Sequence, residues 1–367
     1  MKLIMDYGIE LNKSRIEQVQ VRQQIDPLLG RLLPGTMQLR LRDADIVQSM
    51  TQRQSLAQLC LGGVPFATQY MTNCVSQAGR QLLQCRTDTE FLQTQIQGGL
   101  YQDEPLENVV CDIMGERDYL LDAGLLPYVS GHIPICTRGQ ALNMLSFAQG
   151  GCLCLDKYGA IHMKALSLET PGPIGPERIL SQMQLTTQVA YSEINVTYHT
   201  YTAGSQWVTV FLEKEFGPGN HTEVFREPVY QYQLTKGTIR ESGPNYVTFQ
   251  PVGMDTLQIL PYLHSKNWRS IHGSQLQSYD HHLQLEVRDN TLIGSHNGDQ
   301  ALTWLYQQAG LRQQLKVKIL VDEETIGQAV QLETPWGTRF VGYITCMDST
   351  LTPESHVAEI TILGQET

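Results

Sequence analysis

The stretch from Leu120 to Lys164 constrains the fold more than any other, because it reads as one compact helix followed by a hairpin. Thr137 can cap the helix, since its hydroxyl oxygen accepts a hydrogen bond from a free backbone N–H of the first turn. Gly150 and Gly151 end the helix, because glycine adopts the left-handed conformation without steric cost. Two short apolar runs around the turn at Asp156–Gly159 predict the hairpin. The predicted apolar face of the helix consists of Ala141, Leu142, Leu145 and Ala148. None of these residues has a catalytic pattern, so the unit is interpreted as scaffolding.

The rest of the chain reads mainly as strands. Apolar and polar residues alternate over residues 35–42, which places every second side chain on one face of a strand. Similar runs recur along residues 1–115, and this segment is predicted to form a β-rich barrel or sandwich domain. Short helices are expected at Pro105–Ile113 and at Glu116–Ala123.

The strongest break in the sequence is Thr170–Pro176, which contains three prolines and two glycines. Proline lacks a backbone N–H, so the segment predicts a linker or an exposed loop. Residues 116–170 before the break hold the helix and the hairpin. Residues 171–275 after it are predicted to be a second β-rich domain, and residues 276–367 a C-terminal β-barrel domain.

The predicted fold is therefore mainly β, of the α+β kind, with two β-barrel or sandwich domains flanking a middle helix-on-hairpin domain. The C-terminal domain also contains one helix, with Asn297 as its predicted N-cap and Gly310 as its end. A chain of 367 residues is long enough for two or three domains, each with its own core.

Charged residues make up only 17% of the chain, against about a quarter in an average soluble protein. Such a surface suits large permanent contacts, because few ions lose their hydration on binding. A compositional bias of the source genome explains the same value almost equally well. The net charge of −11 argues against a general nucleic-acid binder. Neither a signal peptide nor a membrane-spanning segment is predicted, because no apolar run has the required length.

The cysteine and histidine pattern does not predict a metal site. Eight cysteines are scattered, mostly in apolar runs, as is typical of buried reduced thiols. Cys152 and Cys154 would point to one face of a strand, but the tetrahedral zinc site needs four ligands and no second pair has suitable spacing. His281 and His282 would point to opposite faces of a strand, so a solvated turn is preferred. The cluster Asp322–Glu324 is interpreted as a polar turn, because calcium needs more oxygen ligands at wider spacing.

No catalytic residue, cofactor site or essential metal is predicted. The sequence lacks the nucleophile elbow, the zinc-protease helix motif, the phosphate-binding loop and the dinucleotide glycine pattern. His132 beside a proline-bearing strand and His162 on the hairpin each have a structural explanation. A glycosidase carboxylate pair leaves little local signature, so that enzyme class stays open.

Two stretches resemble phage tail baseplate proteins. Gly139-Gln140-Ala141-Leu142 through Gly150-Gly151, followed by Leu155-Asp156-x-x-Gly159-x-Ile161, is similar to the middle segment of the tail hubs of contractile phages. The preceding Ile133-Pro134-Ile135-Cys136-Thr137-Arg138 is similar to prophage tail proteins of Gram-positive hosts. The second stretch comprises Gly327-x-x-Val330-x-x-x-Thr334, Gly342-Tyr343-Ile344 and Ala358-Glu359-Ile360-x-Ile362-x-Gly364, and it is similar to the closing β-barrel of those proteins.

The resemblance implies a tail-hub-like fold and a structural, non-enzymatic role at the tail tip or baseplate of a virion. It implies a ring that joins the tail tube to distal tail parts, assembled in the cytoplasm of the bacterial host. Its partners would be tail-tube proteins and other baseplate or tail-tip proteins. A homo-oligomer, and specifically a trimer, is expected, because two tube-like barrels in each of three chains would match a six-fold tube.

The main alternative is a carbohydrate-binding or glycan-cleaving tail protein that acts on the host cell surface. Exposed aromatic rings would favour this alternative, although large aromatic residues on strands are commonly core residues. The candidates are Tyr198, Tyr201, Trp207, Tyr230 and Tyr232.

Overall fold

A computed structural model of the protein describes residues 1–5, 9–42, 55–77, 80–272 and 283–367. Strands dominate these ranges, and helices are few and short. The prediction of a mainly β fold is therefore confirmed. Among the described helices, none is both long enough and apolar enough to cross a lipid bilayer.

The N-terminal β unit contains the first seven strands. Alternation of apolar and polar residues is what makes them strands: in β4 the side chains of Met37, Leu39 and Leu41 are fully buried, whereas their neighbours face outward. The strands are β1 Lys2–Met5, β2 Ile9–Asn12, β3 Ile16–Gln24, β4 Thr36–Arg42, β5 Leu56–Leu61, β6 Val64–Gln77 and β7 Arg80–Arg86.

The central segment alternates short helices and short strands. Its elements are α1 Thr89–Gln93, β8 Gln95–Ile96, β9 Gly99–Pro105, α2 Leu106–Met114, β10 Tyr119–Leu121, β11 Tyr128–Ile133, β12 Cys136–Thr137, α3 Arg138–Ala148, β13 Cys152–Leu155 and β14 Ile161–Lys164. The predicted helix on a hairpin is thus present as α3, β13 and β14. Thr137 caps α3 as predicted: its Oγ1 accepts from the Gln140 N–H at 3.2 Å, and the Gln140 side chain accepts in return from the Thr137 N–H at 3.0 Å.

The predicted helix at Glu116–Ala123 is wrong. Residues 119–121 form β10, which pairs in parallel with β14 at the open edge of the hairpin. A segment this short has too few internal hydrogen bonds to hold a helix, whereas the β14 edge supplies its backbone groups with partners.

The third segment contains the longest strands. Its elements are β15 Gly172–Pro173, a 3₁₀ turn at Pro176–Arg178, β16 Gln184–Thr187, β17 Glu193–Ala203, β18 Val208–Glu215, β19 His221–Val224, β20 Val229–Leu234, β21 Thr238–Gly243, β22 Tyr246–Gln250, β23 Met254–His272 and β24 Gln284–Val287. Strands β17 and β23 pair antiparallel over their whole shared length, from Glu193 opposite His272 to Ala203 opposite Tyr262.

The last segment contains one helix and four strands, α4 Gly298–Gly310, β25 Gln313–Leu320, β26 Ala329–Glu333, β27 Arg339–Leu351 and β28 His356–Glu366. Helix α4 follows Asn297 and ends at Gly310, as predicted. The prediction of a linker or exposed loop at Thr170–Pro176 holds only for its ends, because Gly172 and Pro173 pair in parallel with β26 and Ile174 is 3% exposed. Proline is tolerated there because β15 lies at an edge, where its missing N–H leaves no bond unmade.

One sheet joins the two ends of the chain. Within the described residues its strand order is β16-β25-β28-β27-β3-β4-β7-β6-β5-β1-β2, with β26 pairing to β27 and β15 to β26. The connection is the antiparallel pair of β27 and β3, from Cys346 opposite Gln24 to Leu351 opposite Val19. The C-terminal β unit (β15, β16 and β25–β28) therefore continues the sheet of the N-terminal β unit.

Hydrophobic residues gather in separate clusters. The N-terminal and C-terminal β units each have one, and a third, the central core, combines α2, α3 and the β13–β14 hairpin with residues of β17 and α4. A fourth cluster, around Val247, Phe249 and Leu257, fills the small β unit, residues 204–261. The division of the chain after residues 115, 170 and 275 stays a prediction.

Candidate functional site

Cys152 and Cys154, considered above as a metal pair, lie on β13 and point together into the core of the C-terminal β unit. Their side chains are 0% and 3% exposed, and burial raises the pKa of the Cys152 thiol. In the part of the chain that the structure describes, no group of three or more His, Cys, Asp or Glu side chains is placed to hold a metal ion. The two thiols pack as small apolar groups.

Asp122, His162 and Cys154 lie side by side, in the chemical order of a nucleophile, a base and an orienting carboxylate. His162 Nε2 is 2.7 Å from Asp122 Oδ1, and this bond raises the pKa of His162 to about 9. Burial pushes the pKa of Asp122 upward, but its bonds with His162 and the Ala165 N–H outweigh burial and lower it. The Cys154 thiol, however, is buried and donates to the His162 carbonyl oxygen at 3.8 Å. A nucleophile must reach its substrate, and this buried thiol is not placed to do so. The trio instead holds β14 to the segment after β10.

The acidic cluster Asp322–Glu324 contains a buried ion pair. Both carboxylate oxygens of Glu324 lie 2.6 Å from Arg178 Nη2, and Arg178 also donates to the Leu320 carbonyl oxygen at 2.8 Å. The pair fixes the 3₁₀ turn against the end of β25 and leaves Glu324 occupied. His281 and His282 lie outside the described residues.

The aromatic candidates for glycan contact mostly face inward. The Tyr198 hydroxyl donates to Asp299 at 2.6 Å, and that of Tyr232 donates to the Gly243 carbonyl oxygen at 2.6 Å. The Tyr230 hydroxyl donates to the Gly204 carbonyl oxygen. Trp207 differs, because 42% of its surface is exposed.

Sequence reasoning missed Trp268, which is 71% exposed on β23. It lies between Lys266 and Ser270 on β23, opposite Thr197 of β17. The signal that could have revealed it is its setting, a single large ring among polar and charged residues in a long strand.

A chain of side-chain contacts lies where the small β unit meets the central core. His199 Nε2 is 2.8 Å from the Arg288 carbonyl oxygen, and His199 Nδ1 is 2.9 Å from His264 Nε2. His264 Nδ1 is 3.0 Å from the Glu227 carboxylate. The Tyr201 ring stacks on His264, with 4.6 Å between the ring centroids. Residues far apart in sequence meet here, so no local sequence pattern predicts this cluster.

Asn245 makes the second polar contact of this junction and is fully buried. Its Nδ2 donates to the Gln97 carbonyl oxygen at 2.7 Å and to the Ile133 carbonyl oxygen at 2.9 Å. Its Oδ1 therefore accepts from His132 Nε2, which lies 2.5 Å away. Burial lowers the pKa of His132, which keeps this ring neutral. The Asn245 side chain thus holds the small β unit against β11 and against the turn before β9.

Neither a protein-family model nor a curated protein matches the sequence. Solved structures do match over the full length. The 43 kDa tail protein of prophage MuSo2 from Shewanella oneidensis has a TM-score of 0.58 at 10% identity, covering 98% of this chain and 97% of its own. The tail protein from Neisseria meningitidis MC58 has a TM-score of 0.59 at 11% identity, with coverage of 99% and 96%. Prophage tail protein gp18 from Listeria monocytogenes EGD-e has a TM-score of 0.52 at 9% identity, with coverage of 99% and 94%.

This chain has the fold of prophage tail proteins.

The resemblance inferred from the sequence is thereby confirmed at the level of the fold. The tail-protein fold covers both β units, the central core and the small β unit, because the matches extend over nearly the whole chain. At 9–11% identity the likeness concerns the path of the backbone. The histidine cluster and Asn245 are features of this chain, and their roles follow from their own contacts.

Proposed function

We propose that this protein is a structural component of the tail tip or baseplate of a phage or phage-like particle. The observation that carries the proposal is the full-length likeness of its fold to prophage tail proteins from three different bacteria. Its place is the virion, where it joins the tail tube to distal tail parts. Its partners are tube proteins and other baseplate or tail-tip proteins.

The shared sheet supports a ring of identical chains. Each chain supplies two β units side by side, joined through β3 and β27, so three chains supply six units around one axis. Strands β2 and β16 end the main strand order of this sheet in the described ranges, and such edges carry backbone groups that can pair with another chain. A trimer of this kind would match a six-fold tail tube.

The composition supports permanent contacts. Only 17% of the residues are charged, so burial of a large surface between subunits removes few ions from water. Large permanent interfaces commonly bury about 2,000 Å² or more. We propose no catalytic activity for the chain, since the one nucleophile, base and carboxylate trio described above has a buried thiol.

The assembly is tested by native mass spectrometry of the purified chain, alone and with its particle's tube protein. The expected complex has three times the 41.3 kDa mass of the chain. Thr187→Glu, which adds a charge at the exposed end of β16, should weaken the complex, whereas the matched Thr222→Glu on the small β unit should not. Cryo-electron microscopy of the particle then locates the chain. A position outside the tail, or a copy number other than three per ring, would contradict the proposal.

One observation favours a second function, binding of host glycan. Trp268 is 71% exposed, and exposed indole rings stack on sugar rings. A glycan array with the wild-type chain and with Trp268→Ala tests it: binding lost in the variant supports a receptor role. Release of soluble fragments from host cell wall would instead indicate an enzyme.

A further inference from the structure

The contacts of His199 and His264 fix how many hydrogens the two rings carry between them. A backbone carbonyl oxygen only accepts, so His199 Nε2 carries a hydrogen and donates it to Arg288. In neutral His199 the other nitrogen, Nδ1, then accepts from the N–H of His264 Nε2. The Glu227 carboxylate also only accepts, so His264 Nδ1 carries a hydrogen as well. Three hydrogens on the four ring nitrogens therefore satisfy all of these contacts, and the two rings share one of them between His199 Nδ1 and His264 Nε2.

This arrangement links two parts of the molecule. Glu227 belongs to the small β unit, and Arg288 belongs to the loop after β24. That loop packs on α3, since Asn290 Nδ2 donates to the Met144 carbonyl oxygen at 2.8 Å. The chain from Glu227 through His264 and His199 to Arg288 thus connects the small β unit to the central core.

Two further charged side chains lie near His199. Lys266 lies directly opposite it on β23, next to His264, and Asp289 lies on the loop after β24. Burial lowers the pKa of His199, and the positive charges of His264 and Lys266 lower it further, whereas the Arg288 carbonyl and Asp289 act in the opposite direction. The net effect keeps His199 neutral at neutral pH.

Two more titratable side chains face the pair. The Tyr201 ring covers His264, and His132 on β11 meets the edge of Tyr201 with 5.4 Å between the ring centroids. Burial raises the pKa of the Tyr201 hydroxyl, so that ring is uncharged in the relevant range. A proton on His132 would be a buried charge close to His264, so acidification also destabilises the folded state at this position.

We propose that the His199–His264 pair is a pH-sensitive latch, which holds the small β unit on the central core at neutral pH and releases it on acidification. A second proton on His199 places a hydrogen on Nδ1, so that two N–H groups and two positive charges face each other across 2.9 Å. The contact then has to open. The latch follows from these contacts alone and does not depend on a role in a virion.

The direction of the effect follows from proton linkage. The folded state binds a proton on His199 less readily than the unfolded chain does, because the pKa of His199 in the folded state lies below its ordinary value of 6.5. The junction is therefore fully stable above pH 6.5 and loses stability as the pH falls below it.

Hydrogen exchange of the full chain, read by mass spectrometry at pH 7.5 and pH 5.0 and corrected for intrinsic exchange, tests the latch. Protection of peptides in β20 and in the centre of β23 should fall severalfold at pH 5.0, because the folded state disfavours the proton on His199. Protection of β25 and β28 should not change. In His199→Gln, which cannot take up a proton, the response to pH should be strongly reduced, leaving only the part that His132 contributes. The control His221→Gln, on the same small β unit, should respond like the wild type.

Either of two results would overturn the latch: unchanged protection of β20 and β23 in the wild type at pH 5.0, or an unaltered pH response in His199→Gln. A titration of the His199 ring in the wild type, followed by C2–H exchange, keeps the test decisive if the variant does not fold. The latch requires that His199 takes up its proton at the same pH at which β20 and β23 lose protection. Protonation of His199 with no accompanying loss of protection contradicts it.

Discussion

The shared sheet and the junction around Asn245 are held together in different ways. The sheet buries one apolar side chain in every two along strands such as β4 and β25, and its two cores consist almost wholly of aliphatic residues. The junction instead relies on polar groups, namely the buried Asn245, His132 and His199 and the half-buried His264. Each of these groups has a specific partner on another element.

This difference separates the parts of the molecule whose stability is independent of pH from those whose stability depends on it. Apolar packing is insensitive to pH and tolerates small shifts, because it is not directional. A buried hydrogen-bond network fixes one geometry, and it becomes costly when a single group loses its partner or gains a proton. The sheet suits a permanent scaffold, whereas the junction suits a contact that can open.

The largest effect is expected from Leu145→Asp, which tests whether the central core depends on apolar burial as strictly as the sheet does. Leu145 is 0% exposed and packs in one cluster with Leu153 and Met163 of the hairpin. An unpaired charge there should abolish folding of the central segment, and Leu145→Ala should cost about 2–5 kcal/mol. Thermal melts give the result, with Gln307→Asp on the exposed face of α4 as the control. An unchanged melting temperature in Leu145→Asp would show that the assigned face is wrong.

Asn245→Ala removes the central amide of the junction without touching the sheet. It leaves the Gln97 and Ile133 carbonyls and His132 without their partner, and each buried group left unpaired costs about 1–3 kcal/mol. We expect a loss of several kcal/mol in chemical denaturation, with the first loss of hydrogen-exchange protection in the small β unit. Asn73→Ala, at an exposed position of β6, should be nearly neutral. Equal losses in the two variants would remove the distinction between junction and sheet.

His162→Gln tests the contact between His162 and Asp122, whose pH dependence is opposite to that of the junction. The Asp122 carboxylate raises the pKa of His162 to about 9, so the charged pair stabilises the fold fully below pH 6.5 and ceases to do so as the pH rises through about 9. The variant should melt a few degrees below the wild type at pH 6, and the gap should close above pH 9. Asp122→Asn should follow the same curve. A gap that stays constant with pH would mean that the charge of His162 contributes nothing.

Thr137→Ala should give the smallest change, because it removes one cap from a helix that is otherwise held by apolar packing. Loss of an N-cap hydroxyl costs about 0.5–2 kcal/mol, or a few degrees in melting temperature. Thr303→Ala is the matched control, since the Thr303 hydroxyl donates to the Asp299 carbonyl oxygen within α4 and caps nothing. If both variants melt alike, the capping box does not stabilise α3.

The capping box at Thr137 and the end of α4 at Gly310 were predictable, because each depends on residues within four positions along the chain. The strand β4 was predictable for the same reason, since a period of two is visible in seven residues. The segment 119–121 was mistaken for a helix because its strand character comes from β14, about forty residues further on. Local propensity contains no information about such a partner.

The amino-acid sequence alone was enough to predict that this chain is mainly β, that α3 lies next to a hairpin, and that the chain resembles phage tail proteins. These features follow from periodicity, capping and glycine positions, all of which act over short distances. Three features became visible only in the folded chain: β3 pairs with β27, Pro173 joins the sheet, and Glu227, His264 and His199 form one hydrogen-bonded chain. Those contacts join residues up to several hundred positions apart, and the free energy that selects them comes from packing and from partners for buried polar groups.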